Sequence, residues 1–164
     1  MVTIEQATTS TQISAVQELM REYLQWVFNT YNGAEAAPTF NEWEAEVKSL
    51  PGIYAPPMGR LLMATVDDQP AGCVALRQMD DQVAELKRMY VRPSFRGQRI
   101  GWHLGQRLLE EARTIGYKKI YLDSHRTMTN AHKIYEEIGF KYISAPDSFP
   151  KEIIPFAVFM ECEL

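Results

Sequence analysis

Between Arg60 and Val91 the chain carries three strand-like runs, Arg60–Val66, Ala71–Gln78 and Val83–Val91, parted only by the turns "DDQP" and "MDD". Turns that short suit consecutive antiparallel strands, so a sheet sits at the centre of whatever this chain builds. An earlier strand is expected at "MVTIEQAT", where Val2 and Ile4 alternate with polar residues, and later ones at "YKKIYLDS", "FKYIS" and "FAVFMECEL". Helical spacing appears from Thr11 to Phe28, through Ile13, Val16, Leu19, Met20, Tyr23, Leu24 and Val27. In "TFNEWEAEVKSL", Thr39 and Glu42 form a capping box, and Phe40, Trp43, Val47 and Leu50 share one face. Proline and glycine make "PGIYAPPMG" a loop. A third helix runs from Arg99 to Ile115 with Ile100, Leu104, Leu108 and Ala112 in one stripe, and Gly116 stops it. "TNAHKIYEEIG" is a short fourth helix closed by Gly139. Strands followed by strand–helix–strand–helix–strands predict an α+β fold, a mixed α/β sheet rather than a doubly wound one. At this length one domain over residues 1–164 is the expectation.

A formal charge of −4 excludes broad binding to nucleic acid or an anionic membrane, both of which need a basic surface. Basic residues nonetheless crowd between Lys87 and Arg107, which leaves room for one local anion site. Cys73 and Cys162 each lie in a strand-like run without metal-ligand spacing and read as buried thiols of a reducing, cytoplasmic compartment. The start "MVTIEQATTSTQ" has neither a basic head nor an apolar core, and no later run is long enough to span a bilayer. His103, His125 and His132 lack i,i+4 partners, so no metal is expected.

The stretch "VRPSFRGQRIGWHL" is the one with chemistry in it. Arg92 precedes a proline and is held extended. Gly97 allows a tight turn through positive φ. The helix that follows begins with N–H groups that have no internal acceptor, and the end of its dipole favours anions. Arg96 and Arg99 add full charges able to pair with phosphate, and at Gly101 a ligand could lie against bare backbone. An empty glycine turn at a helix start explains the same residues equally well.

"ELKRMYVRPSFRGQRIG" and "NAHKIYEEIGF" together resemble the signature of the GNAT superfamily of acyl-CoA-dependent N-acyltransferases. Its motif R/Q-x-x-G-x-G/A is matched by Arg96, Ile100 and Gly101, while Arg99 stands where the motif has its first glycine. The order of elements fits over the whole chain, and "LPGIYAPPMGRLLMA" resembles a recurring bacterial subset of small members. The resemblance implies a GNAT-like fold, with a mostly antiparallel sheet splayed at the cofactor and about four flanking helices.

It also implies acetyl-CoA as co-substrate. The main chain of Met89, Tyr90 and Val91 would bond the acyl and pantetheine groups, and a main-chain N–H there would stabilise the developing oxyanion. The amides of Arg96, Gly97, Gln98, Arg99, Ile100 and Gly101 would hold the pyrophosphate. Tyr135 matches the tyrosine that protonates the departing thiolate, with a core aromatic as the alternative. Asn130 is either the N-cap of the fourth helix or a pantetheine ligand. Glu85 matches a carboxylate that takes the amine proton, often through water, and is otherwise a solvent-facing strand residue; His125, at a strand end, is the second candidate base. His103 and His132 are expected on helix surfaces. Tyr31 and Tyr54, in loops, are the better acceptor-pocket candidates, whereas Trp26 and Trp43 lie on helical stripes and read as core. Asp147 and Glu152 belong to a late loop able to close the other side.

No cysteine sits in a nucleophile-like setting, so the expected reaction is direct transfer of acetyl to a primary amine of a small molecule or peptide. The competing reading is a CoA-binding sensor without turnover. A nucleotide-binding domain is disfavoured because no Gly-Lys-Ser/Thr ending follows the glycine turn. A homodimer through C-terminal edge strands is the remaining expectation about partners.

Overall fold

The computed structural model describes residues 1–31 and 40–164. The chain opens with β1 (Val2–Gln6) and enters α1 (Ser10–Thr30) through a capping box. There Thr9 Oγ1 accepts from the Gln12 amide at 3.1 Å, and Gln12 Oε1 accepts from the Thr9 amide at 3.1 Å. Next come α2 (Phe40–Lys48), a loop with one 3-10 turn (Gly52–Tyr54), β2 (Arg60–Val66), β3 (Gln69–Gln78) and β4 (Val83–Val91). The second half holds α3 (Ile100–Ile115), β5 (Lys119–His125), α4 (Thr129–Ile138), β6 (Lys141–Ile143) and β7 (Ala157–Glu163). Gly116 and Gly139 end α3 and α4 at φ of 109° and 114°, a conformation glycine adopts without a Cβ clash.

Among the described residues seven strands form one sheet in the order β1-β2-β3-β4-β5-β7-β6. Every neighbouring pair is antiparallel except β4–β5. This is the mixed, mostly antiparallel sheet expected from the meander. Asp67 and Asp68 both take left-handed backbone in the β2–β3 turn, which matches the twist of a tight hairpin. The sheet ends on β1 and on β6; of the two C-terminal strands expected at an edge, β6 is one and β7 lies inside between β5 and β6.

Each face carries a core. Leu104 and Leu108 of α3 and Tyr135 and Ile138 of α4 pack with Val74, Leu76, Leu86 and Leu122. On the other face Leu19, Met20 and Leu24 of α1 and Trp43 and Val47 of α2 cover Leu61, Met63, Cys73 and Ala75. Phe40 does not join that stripe: it is 56% exposed at the start of α2. The capping box proposed at Thr39 lies outside the described residues. Among the described residues no helix is long and apolar enough to cross a membrane.

The break in the sheet positions the site. β4 pairs with β5 only through Val83, Ala84 and Glu85 against Lys119, Ile120 and Tyr121. Both strands then run on, to Val91 and His125, without pairing each other. The divergence begins where β4 holds one residue more than β3 between the pairs Ala75–Lys87 and Cys73–Tyr90. This bulge places Arg88 at φ 61° and bends the strand. A bidentate ion pair with α2 fastens it, Arg88 Nε and Nη2 donating to Glu46 at 2.7 and 2.9 Å. The Arg88 guanidinium also lies 3.9 Å over the Trp43 ring.

Candidate active site

The "RPSFRGQRIG" loop folds as the sequence suggested, with one surprise in its backbone. Pro93–Phe95 form a 3-10 turn, Gly97 takes φ 85°, and α3 begins at Ile100. Among the described residues, no acceptor receives a hydrogen bond from the amides of residues 97–102. The first turn of α3 carries no acidic side chain to answer them. A cluster of unused donors at a helix N-terminus is a site for phosphate oxygens. Arg96, exposed beside it, donates from Nε to the Val91 carbonyl at 3.1 Å, which fixes its side chain along the cradle.

Arg99 is the N-cap of α3 and adopts left-handed backbone at φ 59°. The motif's glycine belongs at a position of positive φ, and here an arginine bears the strain. Its side chain turns to α4, with Nη2 3.3 Å from Glu137 Oε2, and stacks 4.9 Å over Trp102. Gly101 lines the cavity and has a packing role besides. A Cβ there would stand 3.1 Å from Ile134 Cδ1, so the bare backbone lets α4 pack closely on α3.

A cavity of about 940 Å³ runs from this cradle into the gap between β4 and β5. Arg96, Gly97, Arg99, Ile100 and Gly101 line one end, and the β4 segment Met89–Val91 continues along it with Asn130 and Tyr135. Gln98 is the one loop residue of the expected set outside the lining. Asn130 lies within the first turn of α4, whose N-cap is Met128, so it is not the cap. Tyr135 is 5% exposed and makes no hydrogen bond to a described residue; burial raises its phenol well above the ordinary value, and it stays protonated.

Beyond the gap the cavity is walled by aromatics, and of the expected pair Tyr31 is among them and Tyr54 is not. Tyr23, Trp26, Tyr31 and Trp43 line it, whereas Tyr54 is fully buried away from it. Tyr23 bridges Trp43 and Tyr90 with ring centroids 5.4 and 5.6 Å away, and burial pushes its phenol up to about 12. Asp147 and Glu152 do not reach the cavity; Phe149, Pro150 and Ile153 of the same loop close that side.

Glu85 is not a solvent-facing strand residue. It is 6% exposed, lines the cavity and accepts from Arg77 Nε at 2.6 Å. On the partner strand Asp123 opens onto the same space and accepts from the Tyr121 hydroxyl at 3.1 Å. Burial of its surroundings, and next the charge of Glu85, raise its carboxyl above the usual range. His125 lines the cavity too, stacked 3.9 Å from Tyr31 with Nδ1 2.8 Å from Thr127 Oγ1. His132, expected on a helix surface, is buried with Nε2 3.0 Å from Ser124 Oγ, and burial lowers its pKa. Sequence reasoning missed Asp123, Lys87 and Tyr23. The period-2 run Tyr121, Asp123, His125 was the signal that could have found Asp123 beside His125.

The model of the acetyltransferase (GNAT) family matches residues 13–140. An uncharacterised N-acetyltransferase of Schizosaccharomyces pombe is 31% identical over 128 residues, covering 77% of this chain and 77% of the relative. The mouse N-acetylaspartate synthetase is 37% identical over 95 residues, or 57% of this chain; that match spans only 32% of the synthetase. Among solved structures, an N-acetyltransferase from Thermoplasma acidophilum in complex with coenzyme A superposes with a TM-score of 0.76 at 19% identity, covering 100% of this chain and 99% of that one. Fold, gap and sequence therefore agree, and the chain belongs to the GNAT family of N-acetyltransferases.

Proposed function

We propose that this N-acetyltransferase passes acetyl from acetyl-CoA straight to a primary amine of a small molecule or peptide, both substrates being bound together. One observation carries the reading: a single cavity joins the unused amides of Gly97, Arg99, Ile100 and Gly101, the open edge of β4 and Tyr135 to a region walled by aromatics. The residues fit the cofactor, since a cluster of unanswered main-chain donors beside the Arg96 guanidinium suits a pyrophosphate, and an unpaired strand edge suits the amide-bearing pantetheine arm. Bound there, acetyl-CoA supplies an activated acyl carbon within the gap.

Arg96 and the loop amides orient the cofactor, and a β4 main-chain N–H near Met89–Val91 receives the negative charge that develops on the carbonyl oxygen. The acceptor enters as an ammonium and gives one proton to Asp123, directly or through water. Glu85 is committed to Arg77; its charge lies near Asp123 and makes that carboxylate more basic. The amine nitrogen then bonds to the carbonyl carbon as the carbon–sulfur bond breaks. The second amine proton ends on the thiol. Tyr135 donates a hydrogen bond to the departing sulfur, a task for which a phenol held protonated is suited. Cys73 and Cys162 are buried free thiols, which favours a reducing compartment and takes no part in the chemistry.

Thiol release from acetyl-CoA tests the reading. Release should depend on added amine and fall roughly a hundredfold or more in Tyr135→Phe while acetyl-CoA still binds. Cofactor binding without turnover on a broad amine panel would instead support a sensor.

A further inference from the structure

Just past the last rung shared by β4 and β5, two charges of opposite sign face each other's strand across the opening. Lys87 stands opposite Ala75, a residue of the α1/α2 core, and so projects to that face. Asp123 shares the face through its bond from Tyr121, which is itself paired with Glu85 at the final rung. Both line the cavity on its acceptor side.

Their neighbours are already satisfied. Glu85 is held by Arg77 at 2.6 Å, Arg88 by Glu46 at 2.7 Å and Arg92 by Glu22 at 2.7 Å. Among the described residues no carboxylate lies within 4.0 Å of the Lys87 ammonium and no hydrogen bond holds it. Asp123 likewise has no cation within that distance. Burial, and then the neighbouring Arg88, push the Lys87 ammonium below its ordinary pKa by more than the charges of Glu85 and Glu46 offset. A half-buried ammonium left this way is costly unless something supplies the anion.

We propose that Lys87 is the anion subsite of the acceptor pocket, and that the acceptor is an amine carrying a carboxylate close to the nitrogen, as an α-amino acid does. This rests on the acetyl-transfer reading. The carboxylate docks on Lys87, and the ammonium faces Asp123 at the mouth of the gap where the thioester enters. A side chain then extends towards Tyr23, Trp26 and Trp43. A plain amine would leave Lys87 unanswered, and a diamine would meet it with like charge.

The test compares phenylalanine with phenylalaninamide and phenethylamine, and alanine with alaninamide and ethylamine, by amine-dependent thiol release. In the native enzyme each amino acid should exceed its amide in kcat/KM by roughly tenfold to a hundredfold, the worth of a charge-assisted hydrogen bond. Lys87→Met should bring the ratio close to one, Lys87→Arg should keep much of it, and Lys87→Glu should favour diamines. Comparing ratios cancels the intrinsic reactivity of each amine. Acetyl-CoA affinity, measured in parallel, should stay the same in all three variants and certifies the fold. Equal use of amide and amino acid by the native enzyme would overturn the subsite while leaving acetyl transfer standing. Cofactor binding with no turnover on any amine would overturn both.

Discussion

Arg99→Gly and Arg99→Ala, made side by side, isolate the backbone strain at the start of α3. Both variants lose the same side-chain contacts, the 3.3 Å pair with Glu137 and the stacking over Trp102. The ion pair is exposed on both sides and is worth little, and the stacking about 0.5–1 kcal/mol. The variants differ in what remains at φ 59°. An alanine there pays about 1–2 kcal/mol for the left-handed conformation, whereas a glycine takes it freely. Glycine in turn loses about 0.4–1 kcal/mol through its greater freedom in the unfolded chain. The difference leaves Arg99→Gly more stable than Arg99→Ala by about 0.5–1 kcal/mol. For a chain of this size that is a melting-temperature gap of about 1–4 °C. Denaturant titration with thermal melts reads it. Equal stability, or a more stable alanine variant, would refute the claim that residue 99 sits in left-handed backbone. Cofactor affinity is the second readout. The donor at this position is the main-chain N–H, so acetyl-CoA should bind both variants within about threefold of the native protein. A tenfold loss common to both would show that the arginine side chain itself contacts the phosphates.

Two further perturbations probe the gap. Asp123 carries a raised pKa among Glu85, Tyr121, Lys87 and Arg88, and a carboxyl with a raised folded-state pKa stabilises the fold only at low pH and loses that contribution as pH rises through it. Asp123→Asn should therefore raise the melting temperature at neutral pH, the gain vanishing below about pH 4. The same variant should lose the acidic limb of the kcat/KM profile, the limb on which native activity falls as Asp123 takes up its proton. Glu46→Gln strands the Arg88 guanidinium at the bulge; it should cost about 3 kcal/mol of stability in chemical denaturation and weaken turnover by loosening the splay.

The sheet was legible because its strongest signals are local. Two short turns dictated the β2–β3–β4 meander, and Gly116 and Gly139 marked helix ends that the backbone then required. The cradle was legible for the same reason, since its glycine, arginines and helix start are contiguous. What escaped was anything set by register between distant strands. Lys87 and Asp123 come together only because β4 and β5 share a short rung run and then part at a one-residue bulge, which no periodicity announces. His132 looked like a surface residue until Ser124 of β5 gave its ring a partner across the fold. Trp43 is buried as its helical stripe suggested and also meets the cavity, whereas Trp26, expected in the core, is 38% exposed and serves the cavity wall alone. Arg99 showed a departure from the motif, while its backbone angle could be learned only from the structure.

The most direct test follows the backbone amides of residues 97–101 by NMR as coenzyme A is added. The account predicts that these resonances shift downfield together and saturate with the same affinity as the resonances of Asn130 and Tyr135. Coenzyme A that binds while those amides stay where they were would contradict it.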